Sequence, residues 1–185
     1  YPYKELCGAG VAWNVIRVLY ENYDMDKREA EDLLDFVAMA TVCDVMSLTG
    51  ENRILVKEGL KRIRHTKNIG LQALMQACNV QPENISAYHF GYVLGPCVNA
   101  TGRLDTARHA LRLFETGQET EAEEIARDLV DLNQERKELT LQGVEMAKKL
   151  CEEGGYENDP VLVLFLPDVH ESIAGLIAGR IREMY

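Results

Sequence analysis

The longest regular pattern in the chain lies between Gln118 and Glu153. Stepping by three and four residues, its positions read Ala122, Ile125, Leu129, Leu132, Arg136, Leu139, Gly143, Met146 and Leu150. This is an apolar stripe at helical period, interrupted at Arg136 and Gly143. It predicts one helix of about 50 Å at the usual rise per residue. A helix of that length joins domains or packs along one. Glu119, Glu121, Glu123 and Glu124 fall in its first turns, where acids favour the helix dipole and read as a solvated helix start. Glu152-Glu-Gly-Gly155 ends it in a hinge-like loop.

Shorter elements flank it. Val11, Val15, Val18 and Leu19 recur at helical spacing and predict a helix from Gly8 to about Tyr20. A second helix is predicted from about Lys27 through the apolar run Phe36 to Cys43. Thr49 is a fair N-cap for a third, from Glu51 to about Arg64, and Asn68 for a fourth, from Ile69 to Cys78. Thr106 to Phe114 predicts a further short helix. Ile85 to Gly102 carries Gly91, Gly95, Pro96 and Gly102 and predicts irregular chain with one short strand. Val161-Leu-Val-Leu-Phe-Leu166 predicts a buried strand, and Ser172 to Tyr185 a helix with no stop signal. One strand and one helix cannot bury each other into a stable unit. With Tyr1 in place of a starting Met, this leads us to expect an excerpt of a longer protein, cut within its last domain.

Composition narrows the class. Hydrophobic residues at 46% and charged residues at 27% are the balance of a soluble globular chain. No apolar run approaches the roughly 20 residues of a membrane helix, and no secretory signal opens the chain. A net charge of −10 excludes the broad basic surface needed to wrap duplex DNA without regard to sequence. Local basic patches and acidic metal sites remain open. Five cysteines (Cys7, Cys43, Cys78, Cys97 and Cys151) include no C-x-x-C pair. The odd count argues against a disulfide framework and a structural zinc site. Reduced thiols and a cytoplasmic location follow.

Three segments can carry chemistry. Asp44 ends an almost unbroken apolar stretch, where a carboxylate is costly unless paired, hydrogen-bonded or bound to metal. The plain alternative is a cap or turn with Ser47 and Thr49. In Leu94-Gly-Pro-Cys-Val-Asn-Ala-Thr-Gly-Arg-Leu-Asp105, glycines flank Asn99 and Arg103. Such a loop lets backbone approach a ligand while Arg103 grips a phosphate. The alternative is a tight loop with Arg103 paired to Asp105 or solvent. The segment His170 to Arg180 opens a helix with small residues at Ala174, Gly175, Ala178 and Gly179. It reads equally as an anion site at a helix N-terminus or as close packing with His170 as a cap. Asp24 and Asp26 read as turn and first-turn acids. Lys57, Lys61, Arg62, Arg64 and Lys67 read as a solvated basic face. Cys97 is not evidently activated, its only near cation in sequence being Arg103.

In this order the three segments resemble the RecJ family of single-strand-specific DNA exonucleases, within the DHH phosphoesterase superfamily. Tyr1-Pro-Tyr-Lys-Glu-Leu-Cys-Gly-Ala-Gly-Val11 is similar to the stretch that follows the family's Asp-His-His motif. Ala40 to Leu48 with Gly50 to Arg53 resembles the fourth phosphoesterase motif, which makes Asp44 a metal ligand. Leu94 to Arg103 resembles the motif Gly-Pro-Arg-x-Asn-Ala-x-Gly-Arg, with Cys97 standing where many relatives carry Arg. His170 to Arg180 looks like the start of the DHH-associated substrate-binding domain.

The resemblance implies an α/β fold, predominantly helical here. Residues 1–116 would be the C-terminal part of the phosphoesterase domain, 117–155 a connecting helix, and 156–185 the truncated start of the associated domain. It implies hydrolysis of single-stranded DNA from the 5′ end in repair and recombination, with two Mn²⁺ or Mg²⁺ ions that activate water and neutralise phosphate charge. Asp44 suits such hard cations. Asn99 and Arg103 would orient a phosphate, and His170 and Arg180 would line the strand-binding cleft. Asp24-Met-Asp26 has paired-carboxylate spacing but lies between two predicted helices with no strand before it, so it is not read as the family's Asp-x-Asp motif, and no Asp-His-His occurs; the chain alone is expected to be inactive. The competing readings are a DHH phosphodiesterase acting on short RNA or cyclic dinucleotides, a DHH-like protein that has lost catalysis, and a non-catalytic helical interaction module.

Overall fold

The computed structural model describes residues 1–156 and 159–185. Its first layer is α1 (Gly8–Asn22), α2 (Lys27–Asp32), α3 (Leu34–Cys43) and α4 (Gly50–Arg62). Trp13 of α1 packs with Leu34, Val37 and Leu55, and its indole N–H donates to the Ala30 carbonyl at 2.7 Å. Helix α1 forms where predicted but presents the other face. Val11, Val15, Val18 and Leu19 are 47–55% exposed, while Gly10 and Trp13 are buried. The long aromatic side chain outweighs the valine stripe in deciding which face is covered. The helix predicted from Lys27 to Cys43 is two helices. The chain breaks at Leu33, with φ −77° and ψ −6°, and this turn brings Leu34 and Val37 onto Trp13.

A 3₁₀ turn at Ile63–His65 leads to α5 (Ile69–Ala77). Asn68 caps α5 by accepting from the Leu71 N–H at 2.9 Å, and its amide donates to the Phe114 carbonyl at 2.9 Å. The segment expected to be irregular with a short strand is helical instead. It comprises α6 (Ala87–His89), a wide π turn at Phe90–Leu94, and α7 (Gly95–Leu104). Pro96 lies in the first turn of α7, where its missing N–H costs little. The π turn immediately before it is one way for a helix to accommodate that gap. Helix α8 (Ala107–Glu115) follows. The main core gathers Ile63, Leu71, Leu74, Phe90, Leu94, Leu113 and Leu129, all fully buried.

Helix α9 (Glu119–Gly154) is the predicted long helix. Its first half inserts Ala122, Ile125, Ala126 and Leu129 into the main core. Its second half buries Val144, Ala147 and Cys151 against Ile173, Ile177 and Ile181 of α10 (Glu171–Met184). Gly155, at φ +69°, closes it in the left-handed conformation that glycine adopts freely. The predicted strand at 161–166 is absent, and there is no strand among the described residues. The segment keeps a strand's alternation: Leu162, Leu164 and Leu166 pack inward, while Val161, Val163 and Phe165 are 72–87% exposed. A strand requires a partner for its backbone groups, and none of the described residues pairs with it.

Glycine spacing sets how closely the helices approach. A Cβ on Gly70 would lie 2.0 Å from the Leu113 carbonyl oxygen, whereas one on Gly102 meets nothing within 4 Å. Gly70→Ala is therefore expected to lower unfolding free energy by about 2 kcal/mol through overpacking. Gly102→Ala should leave it unchanged or raise it by up to about 1 kcal/mol through helix propensity. Urea midpoints at constant m value test the pair.

Candidate functional site

The end of α3 is laid against the turn that enters α7. A Cβ on Gly95 would lie 2.3 Å from Cys43 Sγ and 2.5 Å from the Phe90 carbonyl oxygen, and one on Gly91 would lie 3.3 Å from Val42. Only glycine admits this approach, and the Cys43 thiol donates to the Phe90 carbonyl across it at 3.4 Å. Two of the three segments singled out in the sequence thus meet at Gly95.

Asp44 is the residue that caps α3, its N–H donating to the Ala40 carbonyl at 2.9 Å. Its carboxylate is exposed, not buried as the apolar surroundings suggested, and has no hydrogen bond or ion pair with the described residues. The placement is locally unfavourable on two counts. A negative charge at a helix C-terminus opposes the dipole. Val45, which follows, holds φ +55° while 88% exposed, a conformation that strains a β-branched residue. Local strain of this kind is characteristic of sites held for function. Burial, with the neighbouring Asp44 charge, pushes the Cys43 thiol up to about 11, so Cys43 serves packing.

A hard divalent ion takes about six oxygen ligands. Among the described residues no three His, Cys, Asp or Glu side chains lie together in a metal-binding group. Asp44 offers one unspent carboxylate, and these residues do not form a complete metal centre by themselves.

The second cluster lies where α7, α9 and α10 meet. Asn99 and Arg103 are one turn apart on α7, Asn99 exposed and Arg103 half-buried. Arg103 pairs with neither Asp105 nor any other carboxylate among the described residues. Its Nη1 donates to the Ser172 carbonyl of α10 at 2.7 Å. His170 caps α10, its Nδ1 accepting from the Ser172 N–H at 3.3 Å and hydrogen-bonding the Ser172 hydroxyl at 2.6 Å. Ser172 therefore brings Arg103 and His170 together. Arg180 stands roughly three turns further along α10, exposed, at 3.7 Å from Glu183, and is not part of this cluster.

Sequence reasoning missed Ser172, Asn133 and Arg136. Asn133 is buried on α9 and donates to Cys97 Sγ at 3.5 Å. Its carbonyl oxygen accepts from Arg136 Nε at 3.2 Å and Nη2 at 2.9 Å. Burial, together with the like charge of Arg103, lowers the affinity of Arg136 for its proton. The signal was present in the sequence, because Arg136 interrupts an apolar stripe. Cys97 lies 3.8 Å from Cys78 Sγ. A hydrogen bond from Cys78 pulls its pKa down, aided by Lys137, Asn133 and Arg136, so its environment is more cationic than the sequence alone suggested. Its side chain is nonetheless 3% exposed.

The strain at Val45 is measurable. Asparagine tolerates the left-handed region, and Val45 buries almost nothing. Val45→Asn is expected to raise unfolding free energy by about 1 kcal/mol, read from chemical denaturation.

No family model matches the chain. Curated proteins named single-stranded-DNA-specific exonuclease RecJ do match it. The protein from Salmonella typhimurium is 35% identical over 199 aligned residues, covering 100% of this chain and 34% of its own length. That from Escherichia coli is 34% identical with the same coverage, and that from Thermus thermophilus is 34% identical over 95% of this chain and 25% of its own length. The chain thus spans about a third or less of these relatives. Among solved structures, RecJ of Thermus thermophilus in complex with Mn²⁺ superposes with TM-score 0.84 at 33% identity, over 99% of this chain and 27% of that one. A crystal structure of exonuclease RecJ bound to manganese gives TM-score 0.84 at 34% identity, over 99% and 46%. Agreement of sequence and fold along its whole length makes this chain a member of the RecJ family.

Proposed function

We propose that residues 1–185 form part of a metal-dependent exonuclease that hydrolyses single-stranded DNA from the 5′ end in repair and recombination. The observation that carries this reading is the free Asp44 carboxylate on a strained turn, set against the glycine-lined start of α7, in a chain whose curated relatives are named for that activity. Residues 1–116 are the C-terminal part of the phosphoesterase domain, 117–155 the connecting helix, and 156–185 the start of a substrate-binding domain. The separate hydrophobic clusters on the two halves of α9 support this division.

One relative, RecJ of Thermus thermophilus, has been solved in complex with Mn²⁺ and with Mg²⁺. A pair of such ions, when bound, neutralises phosphate charge and lowers the pKa of a water. Asp44 gives one carboxylate to that centre, with the remaining ligands supplied from beyond these residues. Asn99 and Arg103 orient a phosphate by hydrogen bonds. His170, fixed by Ser172, faces the strand from the N-cap of α10, and Arg180 contributes positive charge further along the helix.

In the full-length enzyme carrying this sequence, Asp44→Asn is expected to lower kcat on labelled single-stranded DNA with Mn²⁺ by about 100-fold or more, with KM changed by less than about threefold. An undiminished rate would overturn the reading. Residues 1–185 alone should show no Mn²⁺-dependent digestion in the same assay, and clear digestion would refute the placement of the other ligands.

A further inference from the structure

Three of the five cysteines are absorbed by packing. Cys7 Sγ meets the Thr41 hydroxyl at 3.4 Å, Cys43 donates to the Phe90 carbonyl, and Cys151 is buried in the second cluster. Cys78 and Cys97 differ from these. Their sulfurs face each other at 3.8 Å across 19 positions of sequence, the only two cysteine sulfurs in contact among the described residues. Cys78 is half-buried at the C-cap of α5, and Cys97 is buried in the first turn of α7. Cys97 is fixed from two further sides. Its sulfur lies 3.3 Å from the Val93 carbonyl oxygen, and the Asn133 amide donates to it at 3.5 Å.

To reach disulfide length the two sulfurs must close by about 1.8 Å. Cys78 is placed to supply most of that movement. It ends its helix, the next residue, Asn79, turns the chain at φ +55°, and its side chain is not packed on all sides. Cys97 is the better nucleophile of the two. The hydrogen bond from Cys78 favours its thiolate, aided by Lys137 and Asn133, and the thiolate is the reactive form of a cysteine. With Cys97 itself covered, the pair is open to a small oxidant from the Cys78 side and closed to a bulky one.

We propose that Cys78 and Cys97 form a redox modification site, a dithiol that a small peroxide closes to a disulfide. The Cys97 sulfur attacks one peroxide oxygen and the O–O bond breaks. The other oxygen leaves as water with the thiol proton, and Cys97 becomes a sulfenic acid. The Cys78 sulfur then attacks Cys97 Sγ. The S–S bond forms, the S–O bond breaks, and hydroxide leaves as a second water with the Cys78 proton. Two thiols are oxidised by two electrons and one peroxide is reduced to two waters. A thiol reductant reverses the step by exchange. The new bond draws the start of α7 toward the end of α5 and away from the Asn133 amide, and Asn99 and Arg103 ride on the same helix. The covalent step stands by itself, while its effect on activity rests on the nuclease reading above.

The test treats the full-length enzyme carrying this sequence, stripped of metal, with hydrogen peroxide. Remaining thiols are blocked and the chain is cut with a Glu-specific protease, which cleaves at Glu83 between the two cysteines. Mass spectrometry is expected to find the Cys78 and Cys97 peptides joined, the joined species vanishing on treatment with dithiothreitol and never forming in Cys78→Ala. After catalase removes the peroxide and Mn²⁺ is restored, the oxidised enzyme should digest single-stranded DNA about tenfold more slowly or worse, the cost of small displacements of positioning groups. Dithiothreitol should recover the rate. Cys78→Ala should match the untreated rate and stay indifferent to peroxide, which separates this pair from oxidation elsewhere. Cys97 carried to the sulfinic acid with no joined peptides, or neither sulfur oxidised, would overturn the site. A joined pair with an unchanged rate would overturn its control of α7. An untreated enzyme with no activity would strike the nuclease reading alone, because the cross-link is read by mass.

Discussion

One face of α9 carries the structure. Its apolar side chains step along a 36-residue helix, and α5, α7, α8 and α10 are placed by which part of that face they cover. Ala122, Ile125, Ala126 and Leu129 close the main core beneath α5, α7 and α8, while Val144, Ala147 and Cys151 close a second one beneath α10. The hydrophobic effect is non-directional, so the stripe alone does not specify where α10 crosses. Gly143 does. A Cβ there would lie 2.3 Å from Ile177 Cδ1, so the missing side chain is the notch into which Ile177 fits.

Both interruptions of the stripe therefore have a physical meaning. Gly143 marks a close crossing of helices. Arg136 marks the stretch between the two hydrophobic clusters, where the half-buried guanidinium folds back onto the Asn133 amide oxygen. A core helix with no such break would bury this stretch against apolar neighbours.

Much of the helical architecture was legible in the chain. The long helix, the Asn68 cap and the short helix after Thr106 lie within a residue or two of where spacing and capping place them. Failures came where tertiary packing overrides local pattern. Gly91, Gly95 and Pro96 read as breakers, yet the glycines serve close approach to Val42 and Cys43 within a continuous helical run. The valines of α1 gave the right period and the wrong face, since Trp13 decided the packing. The alternation at 161–166 correctly separates inward from outward side chains, but strand pairing is a property of two segments and cannot be read from one. At the site, the apolar surroundings of Asp44 point to it for a reason the structure does not support. It is exposed, and strain at Val45 marks the place instead. Arg103 is legible from its glycine-flanked motif, but its partner Ser172 lies 69 positions away, beyond any local pattern.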